Sequence, residues 1–385
     1  MLRVLVTYSF CCFVLLLANT IKAVPIITGE PVVVQHLGKI DWPQDTQTTQ
    51  PFLTQLMAND INDLHGDVQC DLIISTPGNY HMALKDAMYG RPDLGHIGLI
   101  EQQGTPYDYK VSICWSTSPP ISVEQISSES LQFKNITLKG RPSLVMAPGA
   151  VMDTLVQNNQ VHAATRQTFL TNQGNVMLIR RDKADSIFDI CDLAGSTRVI
   201  TPHPELEPGS FGNFSDTIFN IADQNQFDCN ATDLFNSIFS QDISLFDLSV
   251  FNYPYNINGV LSVFGRGSMP QGTGAKWVAS SRIMHRDIAY GLCNDEADAA
   301  VVFYHLALYM RNTLASSGCR LKIVPLGGTV RNPVPLPGNR VASLHIAKST
   351  GTFSRRVKYA RHVIYHFLTS SPVWDRILHS HGLMR

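Results

Sequence analysis

The chain has 385 residues, with 30 Lys and Arg against 31 Asp and Glu, a formal net charge of −1 and 44% hydrophobic residues. That balance excludes a polybasic nucleic-acid surface and an acidic disordered chain, so partners have to be read from sites. Residues 1–23 read as a secretory signal peptide. Arg3 supplies the positive start, Val4 to Ala18 is apolar, and Ile21-Lys22-Ala23 places a small residue at the cleavage position. The apolar run is shorter than the ~20 residues a membrane span needs, so a soluble mature chain is expected from Val24 onward. About 360 residues remain, more than one core usually supports, which predicts two lobes and a cleft between them.

Cys11 and Cys12 leave with the leader. Cys70, Cys114, Cys191, Cys229, Cys293 and Cys319 remain. An even number in an exported chain allows three disulfides among 15 connectivities, and with no Cys-x-x-Cys spacing there is no zinc or thioredoxin-like motif.

The first well-formed unit is Asp71 to Ser75, a strand, followed by Thr76-Pro77-Gly78-Asn79 and a helix over Tyr80 to Met88. Thr76 suits a helix cap and Pro77 a first helical turn. Lys110 to Trp115 with Ser116-Thr117-Ser118-Pro119 reads as a second strand-to-helix joint, and Pro142 to Gly149 leading into Ala150 to Val156 as a third, with Met152 and Leu155 facing a core. Strands alternating with helices predict mainly parallel sheets.

Asn175 to Ile179 is apolar and stops at the charged run Arg180 to Lys183, read as a crossing between lobes. This gives 24–180 as the first part of lobe I, 181–305 as lobe II and 306–385 as the return of lobe I. Arg198 to Thr201 is a strand. Beyond the prolines, Gly209-Ser210 opens a helix whose Phe214, Ile218, Ile221 and Ala222 form one apolar face. Such a helix start directs unpaired N–H groups and the positive end of the dipole toward an anion.

Met284, Ile288 and Leu292 predict a helix, Ala297 to Tyr304 a buried strand, and Tyr304-His305 two hydrogen-bonding side chains at its carboxyl end, where open α/β sheets bind ligands. Leu321 to Pro325 and Val341 to Ile346 are strands. Val357 to Phe367 and Val373 to Leu378 are closing helices. Tyr253 and Tyr255 could stack on an organic ligand.

With these residues laid out, the chain resembles the type II periplasmic solute-binding proteins, most closely the molybdate-binding branch of the ABC-transporter receptors. The segments that carry it are Ile74 to Met88, Trp115 to Ser118 with Gly140 to Leu155, Arg198 to Ile218, and Asp287 to Tyr304. Asp295 to Tyr304 is similar to that family's acidic turn and strand, and Ala360 to Gly382 to its last two helices.

The resemblance implies an α/β, two-lobed fold, each lobe a mostly parallel sheet flanked by helices, with the ligand cleft between them. It implies a monomer that captures a small anionic solute outside the inner membrane, periplasmic or secreted, and delivers it to an ABC permease. No cofactor, metal, nucleic acid or catalytic residue is implied. Matched motif to motif, the contacts fall on Ser75, Thr76 and Asn79, on Ser116 and Ser118, on Gly209 and Ser210, and on Tyr304. The segments 90–104 and 223–273, the six cysteines, His203 and His305 depart from the pattern, so molybdate is one candidate among oxyanions and small carboxylates or phosphates.

Two other classes compete with this reading. A secreted two-lobed module acting on a surface or host partner would use the aromatic loops. An enzyme has no Gly-x-Ser-x-Gly, Walker or His-Glu-x-x-His motif here, but a triad of sequence-distant residues stays open, with Cys114 and His305 as one nucleophile pair.

Overall fold

The computed structural model describes residues 32–34, 63–66, 71–89, 113–118, 121–133, 136–202, 208–224, 227–239, 276–280, 284–293, 295–315 and 318–385. The expected leader, Cys70, the segment 90–104, His203, Tyr253 and Tyr255 lie outside the described residues.

Strand-forming runs are sorted into two sheets. The first contains β2 (Asp63–Gly66), β3 (Leu72–Ser75), β4 (Ile113–Ser118), β7 (Pro142–Pro148), β8 (Gln167–Asn172), β14 (Ser343–Lys348) and β15 (Leu383–Met384), in the order β15-β8-β14-β7-β3-β4-β2. The second contains β1 (Val32–Val34), β9 (Asn175–Arg180), β10 (Val199–Thr201), β11 (Trp277–Ser280), β12 (Ala299–Phe303) and β13 (Leu321–Pro325), in the order β1-β11-β10-β12-β9-β13. A small ribbon, β5 (Ser130–Phe133) with β6 (Ile136–Lys139), stands apart.

The expected two-lobed α/β class stands, but each sheet is mixed rather than mostly parallel. β3 pairs in parallel with β4 and β7, whereas β2, β14, β8 and β15 join antiparallel. In the second sheet β1, β11, β10 and β12 run parallel, β9 alone is reversed, and β13, antiparallel to β9, runs in the direction of β12. β8, β9, β13 and β14, which carry the chain between the lobes, all lie in antiparallel ladders.

The first sheet is buried on both faces, so its central strands alternate between two cores. Ile74 and Met146 face one with α1 (His81–Tyr89), α7 (Arg355–Ser370) and α8 (Pro372–Ser380). Ile73 and Val145 face the other with α2 (Gly149–Gln157), where Met152 and Leu155 are buried as expected. The second sheet shares one core with α3 (Pro208–Ala222), α4 (Ala231–Phe239), α5 (Met284–Cys293) and α6 (Tyr304–Leu314). Among the described residues no helix is long and apolar enough to cross a membrane.

The sheets change partners at places other than 180 and 305. β8 ends in the first sheet and β9 begins in the second, so the outgoing chain crosses at Asn172 to Asn175 and the return lies between β13 and β14. β9, α6 and β13 therefore belong with the second sheet, as does β1. The charged run holds the last residue of β9, Arg180, and the turn Arg181–Lys183, both within that lobe. The crossing chains lie side by side. The Asn172 N–H donates to the Ala342 carbonyl at 2.9 Å, and Asn339 exchanges bonds with the Asn175 backbone at 2.8 and 2.9 Å.

Disulfides join Cys191 to Cys229 and Cys293 to Cys319, both in the second lobe. With separations of 38 and 26 residues, each restricts the unfolded chain by about 3.5–4 kcal/mol. Cys114 is disulfide-bonded as well, which removes it as a nucleophile.

Candidate interlobe ligand cleft

A cavity of about 590 Å³ lies between the lobes. The first lobe contributes β3 and the turn after it, the turn ahead of β5, the end of β7, α2 and β14. The second contributes the start of α3 and the end of β12, and the return chain adds Arg340 and Ala342.

α3 opens with Pro208, a position where a missing N–H leaves no helical bond unmade, and its first turn lines the cleft through Gly209 and Ser210. Gly209 follows, with nothing within 4 Å of where a Cβ would sit, so that backbone turn faces open space. From Phe211 to Phe219 every residue is buried, which fixes the helix between the second sheet and the return chain.

One of those buried residues is Asp216, fully inaccessible, whose Oδ2 accepts from Arg340 Nη1 at 2.7 Å. Among the described residues its Oδ1 has no hydrogen-bond partner. Burial raises its pKa and Arg340 only partly reverses this, leaving it at about 7. Arg340 follows Gly338, whose φ of +88° and whose close approach to α3, where a Cβ would stand 2.7 Å from the Asn220 carbonyl, leave no room for a side chain. Among the described residues Arg340 is the one charged side chain lining the cleft.

A polar network ties the cleft to the hinge. Asn175 Nδ2 donates to Asn213 Oδ1 at 2.9 Å and to Thr217 Oγ1 at 2.7 Å, and Asn213 lines the cavity.

The structure brings together Ser75, Asn79, Gly209 and Ser210 from the expected set. Thr76 is fully buried and its hydroxyl donates to the Pro77 carbonyl at 3.3 Å. It does not cap α1, because a 3-10 turn at Gly78–Tyr80 with Pro77 as its cap residue intervenes. Ser116 and Ser118 lie inside β4 rather than in a turn. β2 pairs with Ser116 and Ser118 on one side and β3 with Ser116 on the other, so the backbone stays extended. The expected helix after them is only a 3-10 turn, Val123–Ser127.

Tyr304 is not in the cleft lining. Its hydroxyl donates to the Val330 carbonyl at 2.7 Å, because α6 starts directly after β12 and turns the ring away. Phe303, one residue earlier, takes the cleft position. His305 is buried between the rings of Tyr80 and Phe303, with centroids at 4.9 and 5.5 Å, and Nε2–H donates to the Asn79 carbonyl at 2.9 Å. Burial pushes its pKa down to about 3, so it stays neutral and packs the lobes together behind the cleft. Met82 of α1 also enters the core of the second lobe there.

No family model and no curated protein matches the chain. Among solved structures it is similar to the periplasmic molybdate-binding protein of Azotobacter vinelandii, with a TM-score of 0.46 and 10% identity over 82% of this chain and 99% of that one. It is also similar to the substrate binding domain of a molybdenum ABC transporter described from Clostridium difficile (TM-score 0.42, 13% identity, 82% of this chain and 98% of that one). A third is Peb3 from Campylobacter jejuni, with a TM-score of 0.42 and 12% identity over 82% of this chain and all of that one. At such identities these likenesses say nothing about what the cleft of this chain holds.

Proposed function

We propose that the chain is an exported solute-binding protein that captures a small anionic solute between its lobes and presents it to an ABC permease. The observation that carries this reading is the α3 wall, where a helix N-terminus and the Arg340 guanidinium line one cavity that holds no carboxylate on its described surface. Ser75 and Asn79 supply hydrogen-bonding groups from the opposite lobe, so the proposed contacts are Ser75, Asn79, Gly209, Ser210 and Arg340. Ser75 and Asn79 belong to the first lobe, Gly209 and Ser210 to the second and Arg340 to the return chain, so neither lobe alone holds the set, which ties capture to closure. Export, delivery and a monomeric state rest on the resemblance carried by the sequence motifs.

The test is a melting-temperature screen of the full mature chain against inorganic oxyanions, carboxylates and phosphate esters. A ligand at a hundred times its Kd should add about 2.7 kcal/mol of stability, several degrees in Tm. The shift should vanish in Arg340→Gln. If no anion moves the transition, the reading fails.

The Asp216 carboxyl gives this a pH signature. Below about pH 7 it holds a proton and adds no negative charge beside Arg340, whereas above pH 7 it is ionised and opposes the ligand. Capture by the parent should weaken by up to about tenfold between pH 6 and 8. Asp216→Asn should bind as the parent does at pH 6 and keep that affinity at pH 8, measured by titration calorimetry.

A further inference from the structure

The two walls of the cleft differ in kind. On the first-lobe side the surface is built from Ile121, Val123, Ile126, Val151, Leu155 and Leu344, with Ser75, Asn79 and Ser122 as its polar members. On the second-lobe side stand Gly209, Ser210, Asn213 and Arg340, with Phe303 at the margin. Val151 is 40% exposed and belongs to the cavity lining, so apolar surface is presented to whatever enters.

A bare inorganic oxyanion fits this poorly. Its oxygens carry charge on every side, and those turned toward the first-lobe wall would lose water against isoleucine, valine and leucine without gaining donors. The volume points the same way. About 590 Å³ lies within the roughly 300–1,000 Å³ range of cavities that take organic ligands.

We infer that the solute is an amphipathic organic anion, with its acid group on the α3 and Arg340 wall and its hydrocarbon body against the Ile121, Ile126 and Val151 surface. This rests on the reading that the cleft captures an anion, and it narrows the class. The acid group, carboxylate or phosphate monoester, is the shared chemistry. Arg340 suits both because its planar fork matches either.

The experiment is titration calorimetry of the full mature chain with two series, n-alkyl phosphates and n-alkyl carboxylates from one to six carbons, alongside inorganic phosphate, sulfate and molybdate. Affinity should rise about fourfold per methylene until the body fills the cavity, with every inorganic ion weaker than the four-carbon members. The series with the tighter members identifies the acid group. Val151→Ser, at an exposed position, should flatten the dependence on chain length, while Arg340→Gln should weaken all members of both series alike.

An inorganic ion that binds as tightly as the best alkyl member, or affinities independent of chain length, would overturn the inference and leave anion capture intact. Failure of every anion, inorganic and organic, would overturn both readings together.

Discussion

Gly209→Asp should melt at or slightly above the parent temperature and lose anion capture by about tenfold or more. The two effects have opposite sign because they arise from the same dipole. Gly209 is the second residue of α3, outside the positive-φ region, and a side chain built there meets nothing within 4 Å. An aspartate is therefore accommodated without strain, gains helix propensity over glycine, and sits at the positive end, where an acidic side chain contributes about 0.3–1 kcal/mol. Its carboxylate then occupies the region the solute's acid group needs, beside Arg340. Thermal melting and calorimetry on one preparation check both halves. Gly209→Asn separates charge from bulk and should retain most of the capture. If the aspartate variant binds anions like the parent, the α3 wall is not where the acid group rests.

How much of this was legible in the sequence depended on whether the deciding contact was local. α3 was legible because Phe214, Ile218 and Ile221 repeat at helical spacing and Gly209-Ser210 marks its start. The joint between β7 and α2 was legible for the same reason, and both helices supply cleft residues. Ser116-Thr117-Ser118 was misread as a turn because hydroxyl runs favour turns. What keeps it extended is β2, some fifty residues upstream, pairing along its length.

Tyr304 was misread by a single position. A strand that ends in a turn would aim it at the cleft, but α6 begins at once and gives that place to Phe303. Arg340 was missed altogether, since a lone arginine after Pro335, Pro337 and Gly338 reads as surface loop. The available signal was on the other partner. Asp216 lies in the middle of a strongly apolar helix, and a carboxylate buried there requires a cation from elsewhere in the chain.

Asp298→Ala should strongly destabilise the second lobe, costing about 3–5 kcal/mol by urea unfolding at pH 7. Asp298 is 4% exposed and sits at the entry to β12, the strand between β10 and β9. Its Oδ2 accepts from the Arg198 backbone N–H at 2.9 Å and from Arg198 Nε at 3.1 Å, and its Oδ1 accepts from Arg198 Nη2 at 2.8 Å. In return the Asp298 N–H donates to the Arg198 carbonyl at 2.8 Å, so one side chain and one peptide unit fix the parallel register of β10 beside β12. Removing the carboxylate leaves the half-buried Arg198 guanidinium with a charge that the more exposed Asp295 offsets only in part.

The pH dependence distinguishes this from a packing effect. Burial raises the Asp298 pKa, but the side-chain and backbone bonds from Arg198, with the charges of Arg198 and Lys183, outweigh it and hold the group below its ordinary value. A depressed folded pKa means the stabilisation is present above the unfolded pKa of about 3.9 and is lost as pH falls through the folded value. The gap between parent and variant should therefore be widest at neutral pH and close progressively below about pH 4. Asp298→Asn, which keeps an acceptor for the Arg198 N–H, should lie between the two, about 1–3 kcal/mol below the parent. A gap of equal size at pH 7 and pH 3 would mean that the carboxylate charge contributes nothing and that the loss comes from the cavity alone.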